Sequence, residues 1–250
     1  MAERLALSGR LEEAEHWALR AEQIHPMPGV MHFRIGRAFL TQGNVDAALA
    51  HLAKAARMDP DQSEISYALG QALVDAGRPS EAVPHLRRAF NAGVRRDLAG
   101  YDLVRALAAT GDREGALSTL KDVEPARLDD ANSWYRLGEL AQQLEEPTLA
   151  ATFYERAARA APQSAAFREQ LGLMLALSGD VHRAVSELEA AVRLDPSDPT
   201  AHLNLAATYF QLGRRQEARA QAEEALRLDP NYGKAAELLK ALVNCWPLSR

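Results

Sequence analysis

The chain has 250 residues, 47% of them hydrophobic, and a formal net charge of −5. An acidic balance argues against nucleic acid as a partner, which needs a basic footprint. No apolar run approaches the ~20 residues that cross a bilayer, and the N-terminus lacks a basic-then-apolar leader. Laid in rows of 34 starting at Gly29, Ser63, Asp97, Ala131, Ala165 and Pro199, the sequence repeats six times without insertion or deletion. A partial row, 1–28, precedes them, and a terminal helix, 233–250, follows. A period in this range predicts a stack of supersecondary units in one all-α solenoid over 1–250, not a single closed core.

Taken in order, the partial row begins with a stump, Met1 to Ser8, followed by a full helix from Leu11 to Ile24. Rows 29–62 and 63–96 each predict two helices separated by a glycine turn, at Gly43 and Gly77. In the second of these rows Pro84 falls inside a helix, where it removes a backbone hydrogen bond and predicts a kink. That row ends on Asn91-Ala92-Gly93, a glycine stop. Row 97–130 turns at Gly111, and Glu124-Pro125 predicts an early helix end with an extended connector near 124–130. Row 131–164 has Glu145 where the other rows have the turn glycine, with Pro147 after it, so a stiffer or reshaped turn is expected. Row 165–198 shows the pattern most fully. Leu171 and Leu175 are four apart, Gly179-Asp180 interrupts, and Ala184, Leu188, Ala191 and Leu194 follow at helical spacing. Glycine at φ > 0 ends the first helix and aspartate caps the second, with Asn44 and Asp112 in the same capping place. Asp198 and Pro199 read as N-cap and N1 of row 199–232. In the last helix Leu238, Leu239, Leu242 and Val243 are expected to cover that row, with Lys234, Glu237 and Lys240 in water and Trp246 packed beside it.

Read down the rows, one column is Ala14, Ala48, Ala82, Ala116, Ala150, Ala184 and Ala218. A second is Ile35, Leu69, Leu103, Leu137, Leu171 and Leu205. A third is small: Gly36, Gly70, Val104, Gly138, Gly172 and Ala206. Small residues let the two helices of a row approach closely while leucines fill the space between rows. Leu171-Gly172, Leu175, Gly179, Ala184, Leu188, Ala191 and Pro196, within one row, resemble the tetratricopeptide repeat family. The resemblance covers essentially the whole chain. It implies a right-handed superhelix of antiparallel helix pairs with a concave groove lined by the first helix of each row. It also implies protein or peptide binding.

A first-helix column reads Phe33, Tyr67, Tyr101, Tyr135, then Glu169 and Leu203. One turn along lie Arg37, Gln71, Arg105 and Glu139, and Arg34 and Arg136 flank the rings. The resemblance places these on the concave side. Rings supply contact area at low entropy cost and guanidinium forks hold carboxylates, so the set predicts a grip on a peptide carrying acidic groups. The alternative is that Phe33 and Arg37, or Tyr101 and Arg105, stack within their own helices. Some family members clamp a C-terminal carboxylate with lysine and asparagine. Asn204 and Lys234 match two such places, but Glu169, Leu173 and Leu238 occupy the others, and Glu169 would repel the carboxylate. That mode is not expected here.

Cys245, the single cysteine, forms no internal disulfide and no metal motif. His51 and His85 share a column without a carboxylate or cysteine at zinc-ligand spacing. No phosphate-cradling loop or nucleophile elbow stands out. The expected function is a non-catalytic protein-interaction scaffold with no cofactor and no metal. The alternative is the repeat segment of a larger protein whose effector domain lies upstream. Cytoplasm is the default compartment, periplasm or export if an upstream signal precedes Met1. The incomplete first row also suggests self-association through that end.

Overall fold

The computed structural model describes residues 2–10, 12–13, 16–17, 20, 28–123 and 130–244. Among them every regular element is an α-helix. Contacts divide the chain into two compact units, Met1–Ala126 and Arg127–Arg250. The first unit contains α1 (Ala2–Leu7), α2 (Pro28–Thr41), α3 (Val45–Met58), α4 (Ser63–Asp75), α5 (Pro79–Asn91), α6 (Arg96–Ala109) and α7 (Arg113–Asp122). The second contains α8 (Ala131–Gln143), α9 (Pro147–Ala160), α10 (Ala165–Leu177), α11 (Val181–Leu194), α12 (Pro199–Gln211), α13 (Arg215–Leu228) and α14 (Gly233–Asn244). In each unit the helices stack as consecutive pairs.

The column physics explains the pairing. Ala48, Ala82, Ala116, Ala150, Ala184 and Ala218 have no exposed surface; Ala14 lies outside the described residues. Gly36, Gly70 and Gly172 sit under a leucine of the partner helix. A Cβ there would stand 2.8, 2.6 and 2.6 Å from Cγ of Leu52, Leu86 and Leu188. At Gly138 the partner is Tyr154, whose ring a Cβ would meet at 2.5 Å. In these four rows helix one thus offers a hole that helix two fills, leaving no room for a Cβ, whereas Val104 and Ala206 are accommodated at the same place in the other two.

A second pair of places, nineteen residues apart in each row, changes chemistry from row to row. His32 and His51 meet Nδ1 to Nδ1 at 2.8 Å, both buried. Trp134 stacks on Phe153 at 6.1 Å. Arg168 pairs with Glu187 at 2.8 Å, and His202 Nδ1 bonds Gln221 Oε1 at 2.7 Å. His51 is therefore held by His32 across its own row, a partnership the shared His51 and His85 column does not reveal.

The expected caps form. Side-chain oxygens of Asn44, Asp112, Asp180 and Asp198 accept from the amides of Ala47, Gly115, Arg183 and Thr200. Asp130 and Ser164 cap α8 and α10 in the same way. Helix α5 runs unbroken through Pro84, which lies on the exposed face, where water can serve the freed carbonyl. α7 ends at Asp122, with Val123 extended; the expected connector at 124–129 lies outside the described residues, as do the Leu11–Ile24 helix (save a few positions), Cys245 and Trp246.

Glu145 corrects an expectation. Its φ is +57°, in the same left-handed region as Gly43 at +73° and Gly179 at +92°, so the turn keeps the common geometry. A residue with a Cβ costs roughly 1–2 kcal/mol in that region, part of which glycine's chain entropy would cancel. Glu145→Gly is therefore expected to raise the urea midpoint, by the equivalent of up to ~1 kcal/mol. No change or a loss would mean that Glu145 makes a compensating contact.

α14 seats Leu242 among Val185, Leu188, Leu205, Tyr209 and Ala218, with Leu238 and Leu239 packed on the same cluster. Lys234, Glu237 and Lys240 face water as expected. Val243 does not cover the last row: it is 62% exposed, because it follows Leu242 and points to the other face of the helix.

Candidate functional site

The aromatic column falls on α2, α4 and α6 of the first unit and on α8 of the second. Its members differ in burial. Phe33, Tyr101 and Tyr135 are half-buried, whereas Tyr67 is 4% exposed and belongs to the core. Burial pushes the Tyr67 phenol up to about 12, with the nearby Asp102 carboxylate adding to the effect. Arg95 lies over that ring at 5.8 Å and pairs with Glu64 at 3.3 Å. Tyr67 is thus a packing residue, contrary to its expected place in an open groove; Gln71, one turn on, is exposed.

The arginines are largely committed. Arg34 pairs with Glu3 at 3.5 Å. Arg105 lies 3.4 Å from Asp102 and over the Tyr101 ring at 5.9 Å. Arg37 lies over Phe33 at 5.6 Å, and Arg136 is not free. Within-helix stacking, the plainer of the two sequence readings, is what Phe33–Arg37 and Tyr101–Arg105 adopt. Beside the first of these pairs a cleft of about 360 Å³ opens between α1 and α2, lined by Leu7, Phe33, Arg34, Arg37 and Thr41 among others.

The column in the second unit has a different character. Tyr135 packs 5.3 Å from Tyr154 and 5.0 Å from Phe167, ring to ring. The Tyr154 hydroxyl donates to Gln142 Oε1 at 2.9 Å. Glu169, one row on from Tyr135, is buried and accepts from Asn204 Nδ2 at 2.9 Å. Burial, then the Asp198 carboxylate, raise its proton affinity to about pH 7, against the bond from Asn204. Tyr135 is raised by burial and by Glu139 and Glu169. The sequence column contained Glu169, but only folding shows it buried beside a second carboxylate. Asn204, one of the two clamp-like residues, is spent on Glu169. Among the described residues no group of three or more histidine, cysteine, aspartate or glutamate side chains could hold a metal ion.

A folded-state affinity above the ordinary value of 4.5 means that protonated Glu169 favours the fold. Its contribution is full below about pH 4.5 and is lost as pH rises through about 7. At ~1.4 kcal/mol per tenfold change in proton affinity, the loss is on the order of 2 kcal/mol after solvent screening. The melting-temperature difference between Glu169→Gln and the parent is expected to grow in the mutant's favour from pH 5 to pH 8. A constant difference would remove this role.

The profile of the tetratricopeptide repeat matches residues 33–93, 101–165 and 171–233, most of the chain. The chain belongs to the tetratricopeptide repeat family. Its turn glycines, alanine column and glycine-under-leucine contacts are the repeat's own framework, so they mark architecture and not chemistry. The chain is 36% identical over 104 residues to the TPR repeat-containing thioredoxin TTL4 of Arabidopsis thaliana, a match covering 42% of this chain and 14% of that relative. The chain thus spans a small part of the curated relative's length. Among solved structures it resembles the C-terminal part of a TPR repeat-containing protein from Cytophaga hutchinsonii, at TM-score 0.69, 17% identity, and coverage of 95% of this chain and 98% of that one. It also resembles YrrB, described as a TPR protein with an unusual peptide-binding site, at TM-score 0.53, 21% identity, and coverage of 89% and 97%. At these identities the structural likeness shows the fold. Tetratricopeptide repeats generally mediate protein–protein interaction, and the fold is typically non-catalytic. No described helix is long and apolar enough to cross a membrane.

Proposed function

We propose that this chain is a non-catalytic scaffold that holds a peptide or an extended protein segment on the first-helix surface of its repeats. The observation that carries the reading is the half-buried rings on first helices of each unit, Phe33 and Tyr101 in the first and Tyr135 in the second, with Arg37 and Gln71 exposed on first helices of the first unit. Partly open rings held by packed helices supply contact area that needs little ordering on binding. The peptide-binding site in the name of YrrB supports a peptide ligand. The scaffold acts without cofactor or metal. A photo-crosslinker at Gln71 or at Tyr101 should capture the physiological partner, while one at Arg87 or Arg183, on second helices, should not. The reverse pattern would overturn the reading. Joint replacement of Tyr101 and Tyr135 by alanine should weaken binding at least tenfold, about 1.4 kcal/mol.

A second reading is favoured by the relative's length: the chain is the repeat segment of a longer protein whose effector domain acts on the partner held by the repeats. Its match to 14% of TTL4 supports this. The reading frame upstream of Met1 decides it, since a further domain there would support it and a stop codon would end it.

A further inference from the structure

Helical spacing builds the cleft between α1 and α2. Val30, Phe33, Arg37 and Thr41 recur every three or four residues and form one stripe of α2, while Glu3 and Leu7, four apart, supply the wall on α1. Leu5, between those two in sequence, is buried with Ile35, Ala38 and Phe39, and Gln42 Nε2 donates to the Leu7 carbonyl at 3.0 Å, so α1 is held against α2. At about 360 Å³ the cleft falls within the range of roughly 300–1,000 Å³ for ligand sites. Its apolar part is half-buried Val30 and Phe33 with exposed Leu7. Its charge sets it apart from the rest of the arginine column. Arg105 faces Asp102, but Arg37 is exposed, lies over the Phe33 ring at 5.6 Å and has no carboxylate partner among the described residues. A guanidinium stacked on a ring keeps its in-plane N–H donors for a carboxylate. Arg34, also lining the cleft, meets Glu3 at 3.5 Å with the two side chains 64% and 42% exposed; such a pair contributes little and is open to exchange.

We infer that this cleft takes an aspartate or glutamate side chain of a bound peptide segment together with an apolar residue next to it. The carboxylate meets the Arg37 fork with Arg34 beside it, and the apolar side chain covers Leu7, Val30 and Phe33. The inference rests on the proposal that the first-helix surface binds peptide, and it narrows the acidic ligand expected from the whole arginine column to one place. Glu3, the one acid among the described residues that line the cleft, competes with the incoming carboxylate for the same guanidiniums.

The test uses the full chain and a phage-displayed library of random nonapeptides, selected on the parent and depleted on Arg37→Gln. The retained peptides should carry aspartate or glutamate beside an apolar residue, with acids in clear excess over lysine plus arginine. One retained peptide with a single acid is synthesised with an amidated C-terminus, so that the side chain is its only carboxylate, and again with that acid replaced by its amide. The replacement should weaken binding to the parent roughly tenfold or more, and to Arg37→Gln less than about threefold. Glu3→Gln should bind the acidic peptide about twofold or more tighter than the parent does, a gain that no folding defect produces; circular dichroism checks both variants. No acidic excess among the retained peptides, equal losses in parent and Arg37→Gln, or weaker binding by Glu3→Gln would overturn this inference while leaving the peptide-binding surface standing. So would a parent dimer that Arg37→Gln dissolves, since the cleft would then hold a second copy of the chain. Failure of the parent to select any peptide would overturn both.

Discussion

Tyr67→Ala is expected to destabilise the first unit by about 3–5 kcal/mol, the range for emptying a buried aromatic site. Tyr67 occupies the same column as Tyr101 and Tyr135, yet it is 4% exposed and they are not. Its neighbours Ile65, Ala68 and Leu69 are buried as well, so the helix gives little room to collapse into the cavity. Arg95 would also lose the ring over which it sits. Urea unfolding followed by circular dichroism should show a lower midpoint for Tyr67→Ala and a smaller change for Tyr101→Ala. Equal midpoints for parent and Tyr67→Ala would show that the ring is not part of the core. This result matters for function, because a binding loss in any variant lacking Tyr67 would confuse folding with recognition. Tyr101 and Tyr135, both half-buried, are the better positions at which to test binding, with circular dichroism as the check on folding.

Removing residues 233–250 should have an effect of similar size by a different route. α14 covers two apolar clusters. One is Val185, Leu188, Leu205 and Tyr209, reached by Leu242; the other is Leu203 and Ala225, reached by Ala235. Fully burying a leucine contributes about 1.5–3 kcal/mol, and Leu238, Leu239 and Leu242 together would be lost. The exposed face would also be a contiguous apolar patch at the end of a stack, the kind of surface that drives association. The truncated chain is expected to elute as aggregate or oligomer in size-exclusion chromatography and to melt well below the parent. A monomer with the parent's melting temperature would show that α14 is an appendage. Leu242→Ala, expected to cost roughly 2–5 kcal/mol, separates loss of packing from loss of the whole helix.

The repeat makes the helices and their pairing legible in the sequence. Each row needs a small residue at Gly36 or Gly172, an alanine at Ala48 or Ala184 and a turn residue at Gly43 or Gly179, and these are local demands that recur with the period. Caps such as Asp112 and Asp180 are read for the same reason, since a side chain two or three residues before an amide needs no tertiary information to reach it. The site was less legible. Its residues share a column, and a column says only that positions are equivalent along the helix. It does not say how much neighbouring rows cover them. Tyr67 and Tyr101 are equivalent in sequence and differ in burial because different residues pack on each. Glu145 shows the converse: an unexpected residue adopts the glycine geometry because the helices on either side dictate the turn. Spacing alone makes the arginines ligand-facing; in the fold they are mostly tied to Glu3, Asp102 and their own rings, since a charge takes the partner that the fold brings nearest. Glu169, Asp198 and Asn204 meet only when α10 and the start of α12 pack together. Residues that serve the helix itself are written in the sequence at fixed spacing; burial and charge environment are sums over neighbours distant in the chain, and only the packed structure supplies those sums.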